Sequence, residues 1–177
     1  GFGAYRQEVF EKVGYFDEEL TRNQDDEFNY RVNQAGYKIF LSNNVKSIYY
    51  VRASFKKLFR QYFQYGYWKV LVNRKHASLT STRQLAPAAF VLFLLFGWLF
   101  SFFHPLAIIG YFTLIGIYLV VGMGSAMILG KKVKATAYVF TAFLVLHLSY
   151  GLGYLKGIFH FLILRRSAPK KDTALSR

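Results

Sequence analysis

The chain has 177 residues, of which 54% are hydrophobic and 20% aromatic, with a net charge of +14 and no cysteine. A hydrophobic share this high lies above that of ordinary soluble domains and points to a bilayer. The absence of cysteine excludes a disulfide framework and any Cys-based zinc site.

The charge is distributed unevenly. Residues 1–27 hold three basic and eight acidic residues for a sum of −5, residues 28–84 sum to +11, and residues 85–177 to +8. No carboxylate occurs from Phe28 to Lys171, so any Asp or Glu acting as base or metal ligand comes from the first 27 residues. Basic residues interleaved with aromatics beside long apolar runs fit anionic membrane lipids as partners, with no nucleic acid.

Residues 1–50 read as soluble α/β structure. Arg6 to Val13 predicts a short helix, followed by the Gly break and acidic turn of GYFDEEL. Asn23 or Asp25 is placed to cap a second helix through DEFNYRVNQ that stops at Gly36. The runs YKIFLS and KSIYYVR, separated by Ser-Asn-Asn, predict two strands and a turn. Residues 54–75 alternate Phe55, Leu58, Phe59, Tyr62, Phe63 and Trp68 with Lys56, Lys57, Arg60, Lys69, Arg74 and Lys75. That is the pattern of an amphipathic helix lying in the membrane interface; the alternative is a core helix with a solvated basic edge.

From Leu85 to Gly130 there is no charged residue. A single helix of that length would reach about 70 Å, roughly twice a hydrocarbon core, so the chain must turn back. His104-Pro105 is the evident turn, giving spans near 86–103 and 106–129. A third apolar stretch, Ala135 to Leu164, is interrupted by Gly151, Gly153 and Lys156 and predicts a span near 136–155. Two spans place the basic segment before the first and the KKVK of 131–134 together on the cytoplasmic side. A third full span would put the basic tail of 165–177 on the other side, so this stretch either spans or re-enters.

The cluster Gln24-Asp25-Asp26-Glu27 is the one dense carboxylate group. Sugar transfer with inversion needs a base for the acceptor hydroxyl, and a carboxylate at a helix start is kept ionised by the helix dipole. Acidic residues in a first turn also serve plain capping. The four histidines have no metal-ligand spacing.

The series G-x-G-A-Y-R-x-E-V-F-x-x-V-G-x-F-D-E-E-L, then N-Q-D-D-E-F-N-Y-R-x-x-x-A-G-Y-K-I, resembles the second half of the catalytic domain of family 2 glycosyltransferases. The resemblance is to the membrane-bound enzymes of bacterial exopolysaccharide assembly, the succinoglycan type, and covers about residues 1–75. The stretch H-L-S-Y-G-L-G-Y-L-K-G at 147–157 resembles the tail of that subgroup.

The resemblance implies residues 1–53 as the C-terminal part of a GT-A domain; pattern and charge give 54–84 as interfacial helix and linker, 85–164 as membrane helices and 165–177 as a basic tail. It implies Asp25 as the general base, with Asp26 as the alternative; the family's usual Glu before that Asp is Gln24 here. Glu27 is expected to orient the helix or to pair with Arg31. Gly1 and Gly3 would belong to a loop approaching acceptor or pyrophosphate. Processive members carry Q-x-x-R-W, whereas this chain has Gln61-Tyr62-Phe63-Gln64-Tyr65, so addition of a single sugar is implied. Gln61, Gln64 and Trp68 are then candidates to line an acceptor groove, or are aromatic and polar interface anchors.

The implied partners are a nucleotide sugar donor and a lipid-linked acceptor, at a bacterial plasma membrane with the catalytic part cytoplasmic. A divalent cation, Mg or Mn, is expected in the full-length enzyme through an Asp-x-Asp sequence, which this chain lacks. A piece without the donor-binding half is expected to be inactive by itself. The rival reading is a non-enzymatic membrane transporter or assembly subunit, against which the lack of any carboxylate in the spans argues.

Overall fold

The computed structural model describes residues 3–48, 50 and 54–168. Gly1 and most of the basic tail lie outside them. The described chain is helical: α1 (Gln7–Val13), α2 (Gln24–Gln34), α3 (Phe55–Lys75), α4 (Leu85–Phe96), α5 (Leu106–Gly130) and α6 (Val133–Gly157). A 3-10 turn, Thr82–Gln84, leads into α4, another, Gly97–Phe102, prolongs it, and a π-helical segment, Ile158–Ile163, prolongs α6.

The two short helices form where the sequence predicts them. Val9 of α1 and Phe28 and Val32 of α2 make a small buried cluster, against which Tyr5, Phe10, Val13 and Tyr37 pack. Gly36 has φ 87°, a left-handed conformation that lets the chain leave α2 without strain. Asn23 occupies the N-cap position in a left-handed conformation, φ 63°, and makes no capping bond; its side-chain amide donates to the Tyr65 carbonyl at 3.0 Å on α3.

The two expected strands do not form among the described residues of 37–50. Phe40, Leu41, Val45, Ile48 and Tyr50 are all more than 75% exposed there. Two strands without a sheet to join are marginal in water, and these side chains have no layer to pack on. The described chain is therefore all-helical, and the α/β character expected of residues 1–53 is not seen in it.

Helix α3 differs from a simple interfacial helix. Ser54 caps it, accepting the Lys57 N–H at 3.2 Å, and its first half leaves Lys56, Lys57, Phe59 and Arg60 exposed. Its second half, Gly66 to Asn73, is buried on every side, with Trp68 1% exposed. That half is a core helix, packed against α6 and, on another flank, against Leu20, which precedes α2.

The α3–α6 seam rests on glycine. Gly153 and Gly157 of α6, a G-x-x-x-G pair, lie against the Phe63 and Tyr67 carbonyls, themselves one turn apart on α3. Gly66 of α3 answers against the Tyr150 carbonyl. Contacts advance together along both helices, from Phe63 with Gly153 to Arg74 with the Phe161 carbonyl, so α3 and α6 run in the same direction. Missing side chains permit this backbone approach, the device of close helix packing in membranes. Asn73 locks the end of the seam: it donates to Tyr154 Oη at 3.1 Å and accepts from Thr80 N–H and Oγ–H at 3.3 Å each.

Among the described residues, three helices are long and apolar enough to cross a membrane: Thr82–Phe102, Leu106–Gly130 and Val133–Ile163. His104 marks the first turn, its Nδ1 accepting the Leu106 N–H at 3.2 Å. The third apolar stretch is one unbroken helix through Gly157 that passes into the π-segment instead of turning back.

Candidate functional site

The first turn of α2 carries Asp25, Asp26 and Glu27, and the fold gives each a different environment. Asp25 is exposed at the helix start, its Oδ1 accepting the Asp26 N–H at 2.9 Å. Asp26 forms an ion pair with Lys69, whose side chain is only 11% exposed. Glu27 is 3% exposed and holds Arg31 through two hydrogen bonds of 2.8 and 2.9 Å and His76 Nε2 at 2.9 Å. Arg31 in turn donates to the Val13 and Tyr15 carbonyls, satisfying groups left open where α1 ends. Glu27 is thus a structural carboxylate joining α2 to the end of α1 and the end of α3.

The positive charge of α3 is partly answered from within the chain. Besides Lys69 with Asp26, Lys75 pairs with Asp17 and with Glu19. Burial pulls the Lys75 ammonium down, but the two carboxylates outweigh it and hold its pKa above the usual lysine value. The charge split between residues 1–27 and 28–84 is therefore also a docking device between residues 17–26 and α3, and not wholly an attraction to an anionic leaflet.

Of the residues singled out from the sequence, Asp26 and Gln64 make contacts between the α2 end and α3, Asp26 with Lys69 and Gln64 with Arg22, while Asp25 is exposed next to Asp26. Gln64 Oε1 accepts from Arg22 Nε at 3.2 Å, one residue before Asn23 meets Tyr65. Gln61 donates to Tyr65 Oη at 2.8 Å on its own helix. Gly3 is exposed beside the Tyr5 ring, which is tethered to α2 through Tyr5 Oη and Asn29 Oδ1 at 2.8 Å. Gly1 lies outside the described residues. Trp68 does not line a surface: it is packed with Leu20, Tyr67 and Phe161 in the main core, since the Gly66–Asn73 half of α3 is enclosed.

Lys69 and His76 are the site neighbours that sequence reading missed. Their signal was present, as basic residues on a helix following an acidic one, but the pairing requires the α2–α3 docking angle. Among the described residues no three His, Cys, Asp or Glu side chains come together to hold a metal ion.

Fold and site together define an acidic helical unit fastened to a platform of three helices long enough to cross a membrane. Over 158 residues, 88% of its length, the chain is 32% identical to the succinoglycan biosynthesis protein ExoA of Rhizobium meliloti (strain 1021). Over 75 residues, 42% of its length, it is 36% identical to a dolichyl N-acetyl-alpha-D-glucosaminyl phosphate 3-beta-D-2,3-diacetamido-2,3-dideoxy-beta-D-glucuronosyltransferase of Methanococcus voltae. The chain spans 46% of the first relative and 23% of the second. The resemblance to succinoglycan-type glycosyltransferases carried by the motifs is borne out by these relatives. No family profile matches the chain, and no solved structure matches it.

Proposed function

We infer that the chain is the acceptor-side and membrane part of an inverting family 2 glycosyltransferase with a GT-A catalytic domain. It moves one sugar from a nucleotide sugar to a lipid-linked saccharide in exopolysaccharide or cell-surface glycan synthesis. The observation that carries this reading is the similarity to ExoA over 88% of the chain, on a sequence whose acidic helix start is held by α3.

In this reading Asp25 takes the proton from the acceptor hydroxyl as its oxygen attacks the anomeric carbon and the nucleoside diphosphate departs. The start of α2 keeps that carboxylate ionised, and Lys69 holds the neighbouring Asp26 away from the same duty. The divalent cation proposed for the full-length enzyme would neutralise the leaving diphosphate; the described residues of this chain offer no ligand set for it. The active assembly sits in the bacterial plasma membrane with α1 and α2 on the cytoplasmic side.

The test uses the full-length protein. Asp25→Asn lowers sugar transfer by about 10²–10⁴-fold, the usual contribution of a general base, with membrane insertion and thermal stability unchanged. Retained activity in that variant, with loss in Asp26→Asn, would move the base by one residue.

A further inference from the structure

Among the described residues, three apolar stretches, each long enough to cross a membrane, separate α3 from Arg165 and Arg166. Three full crossings would set these two cations on the side opposite α1 and α2, and the sequence alone does not choose. The contacts at the end of α3 do. On one flank, residues 75–78 are fastened to the α2 unit. Lys75 pairs with Asp17 and Glu19, His76 Nε2 lies 2.9 Å from Glu27 Oε1, and the Tyr30 and Ser78 hydroxyls are hydrogen-bonded at 2.7 Å. A group of charges like this, with the Glu19 side chain 69% exposed, belongs in water or among headgroups and not in hydrocarbon.

On the other flank, Arg74 reaches the end of the described chain. Its Nη1 donates to the Phe161 carbonyl at 2.9 Å and to the Arg166 carbonyl at 3.1 Å, and its guanidinium lies 5.7 Å from the centre of the Phe161 ring. Two residues beyond Arg166, Ala168 packs against the buried cluster that contains Leu20, the residue that leads towards α2.

We infer that an even number of complete membrane crossings lies between α3 and the tail, so that Arg165 and Arg166 stand on the same side of the bilayer as α1 and α2. A single arginine side chain joins the two places, whereas a hydrocarbon core is about 30 Å thick. Two of the three apolar stretches then complete a crossing and one does not. The same arrangement gathers cations on one face of the membrane, those of α3 together with Arg165 and Arg166, as the usual distribution of basic residues about a bilayer favours. Placement of the tail on the opposite side would part Arg74 from the Arg166 carbonyl and strip Ala168 from the core. This threading holds whatever chemistry α2 performs.

The chain has no cysteine, so single cysteines report position cleanly once any others in the full-length protein are replaced. Glu18→Cys, exposed shortly before α2, and Ser167→Cys, exposed in the tail, are labelled in cells with a membrane-impermeant maleimide before and after permeabilisation. The two sites are expected to behave alike, and with α2 cytoplasmic both react only after permeabilisation. Labelling of both in intact cells would keep the shared side and overturn the cytoplasmic placement alone. Reaction of one site in intact cells and of the other only after permeabilisation would overturn the even number of crossings. Where Ser167→Cys stays unreactive even in detergent, a protease-cleavable tag fused after Arg177 reads the same side by protease access. Sugar transfer by Asp25→Asn is measured separately, so either reading can fail while the other stands.

Discussion

Along α5, an added Cβ at Gly110, Gly116 or Gly124 meets nothing within 4 Å, whereas along α6 the same addition at Gly151, Gly153 or Gly157 runs into the backbone of a neighbouring helix. The two helices have the same length, 25 residues, and both are apolar. Only Ala126 of α5 is buried, while Ser149, Gly151, Gly153, Tyr154 and Gly157 are buried in α6. The difference shows two separate uses of glycine. At Gly110, Gly116 and Gly124 of α5 it is one more residue that lipid accepts, while Gly130 at the end of α5 is pressed against Thr136; in α6 it is a shape on which α3 depends. The α3–α6 joint is made by close packing around a buried apolar cluster, with hydrogen bonds and ring contacts added.

The contrast can be broken most directly at Gly153. Gly153→Leu drives a side chain into the Phe63 carbonyl, where backbone and not a flexible side chain must yield. The expected loss is at or above the ~3 kcal/mol upper end of ordinary overpacking, read as a collapsed thermal transition in detergent; an unchanged melting temperature would contradict the seam. A smaller effect is expected at the α2 end of α3. Glu27→Ala leaves Arg31 and His76 without their carboxylate, and because both retain some solvent contact the loss is about 2 kcal/mol, below the range for a fully buried pair. Denaturant titration followed by tryptophan fluorescence measures it, and Asp25→Asn, two residues earlier and not bonded to Arg31 or His76, serves as the comparison that stays near wild type. Gly116→Leu on α5 should move stability by no more than about 0.5 kcal/mol, as for a surface change. A large loss there would mean that α5 is packed against protein along that face.

Much of the helical order was legible in the sequence. Uncharged length and the His104-Pro105 turn mark α4 and α5, Gly36 marks the end of α2, and the run of rings and cations over 54–75 marks α3. The environment of α3 was not legible. A mixture of rings and cations reads as an interfacial helix, but Trp68 and Lys69 are enclosed because α2 brings Asp26 to one side and α6 brings its glycines to the other. These are contacts over more than 40 and 80 residues of chain, which periodicity within α3 does not encode. The strands expected of YKIFLS and KSIYYVR are absent among the described residues for a related reason: alternation describes a side-chain pattern, while a strand needs a neighbour to pair with. At the site, Asp25, Asp26 and Glu27 were visible as a group, and their division of labour followed only from which of them met Lys69, Arg31 and His76.

The glycine–carbonyl register of the seam has one more consequence. Gly153 and Gly157 engage the carbonyls of Phe63 and Tyr67, and the same α3 carries Tyr65 and Lys69, which fasten α2. Sliding α3 by a single helical turn would move α2 by about 5.4 Å along α6, beyond the ~3 Å reach of a hydrogen bond. The two glycines therefore work as a gauge block: they set the height at which the carboxylates of α2 stand relative to the membrane helices, to within less than one turn.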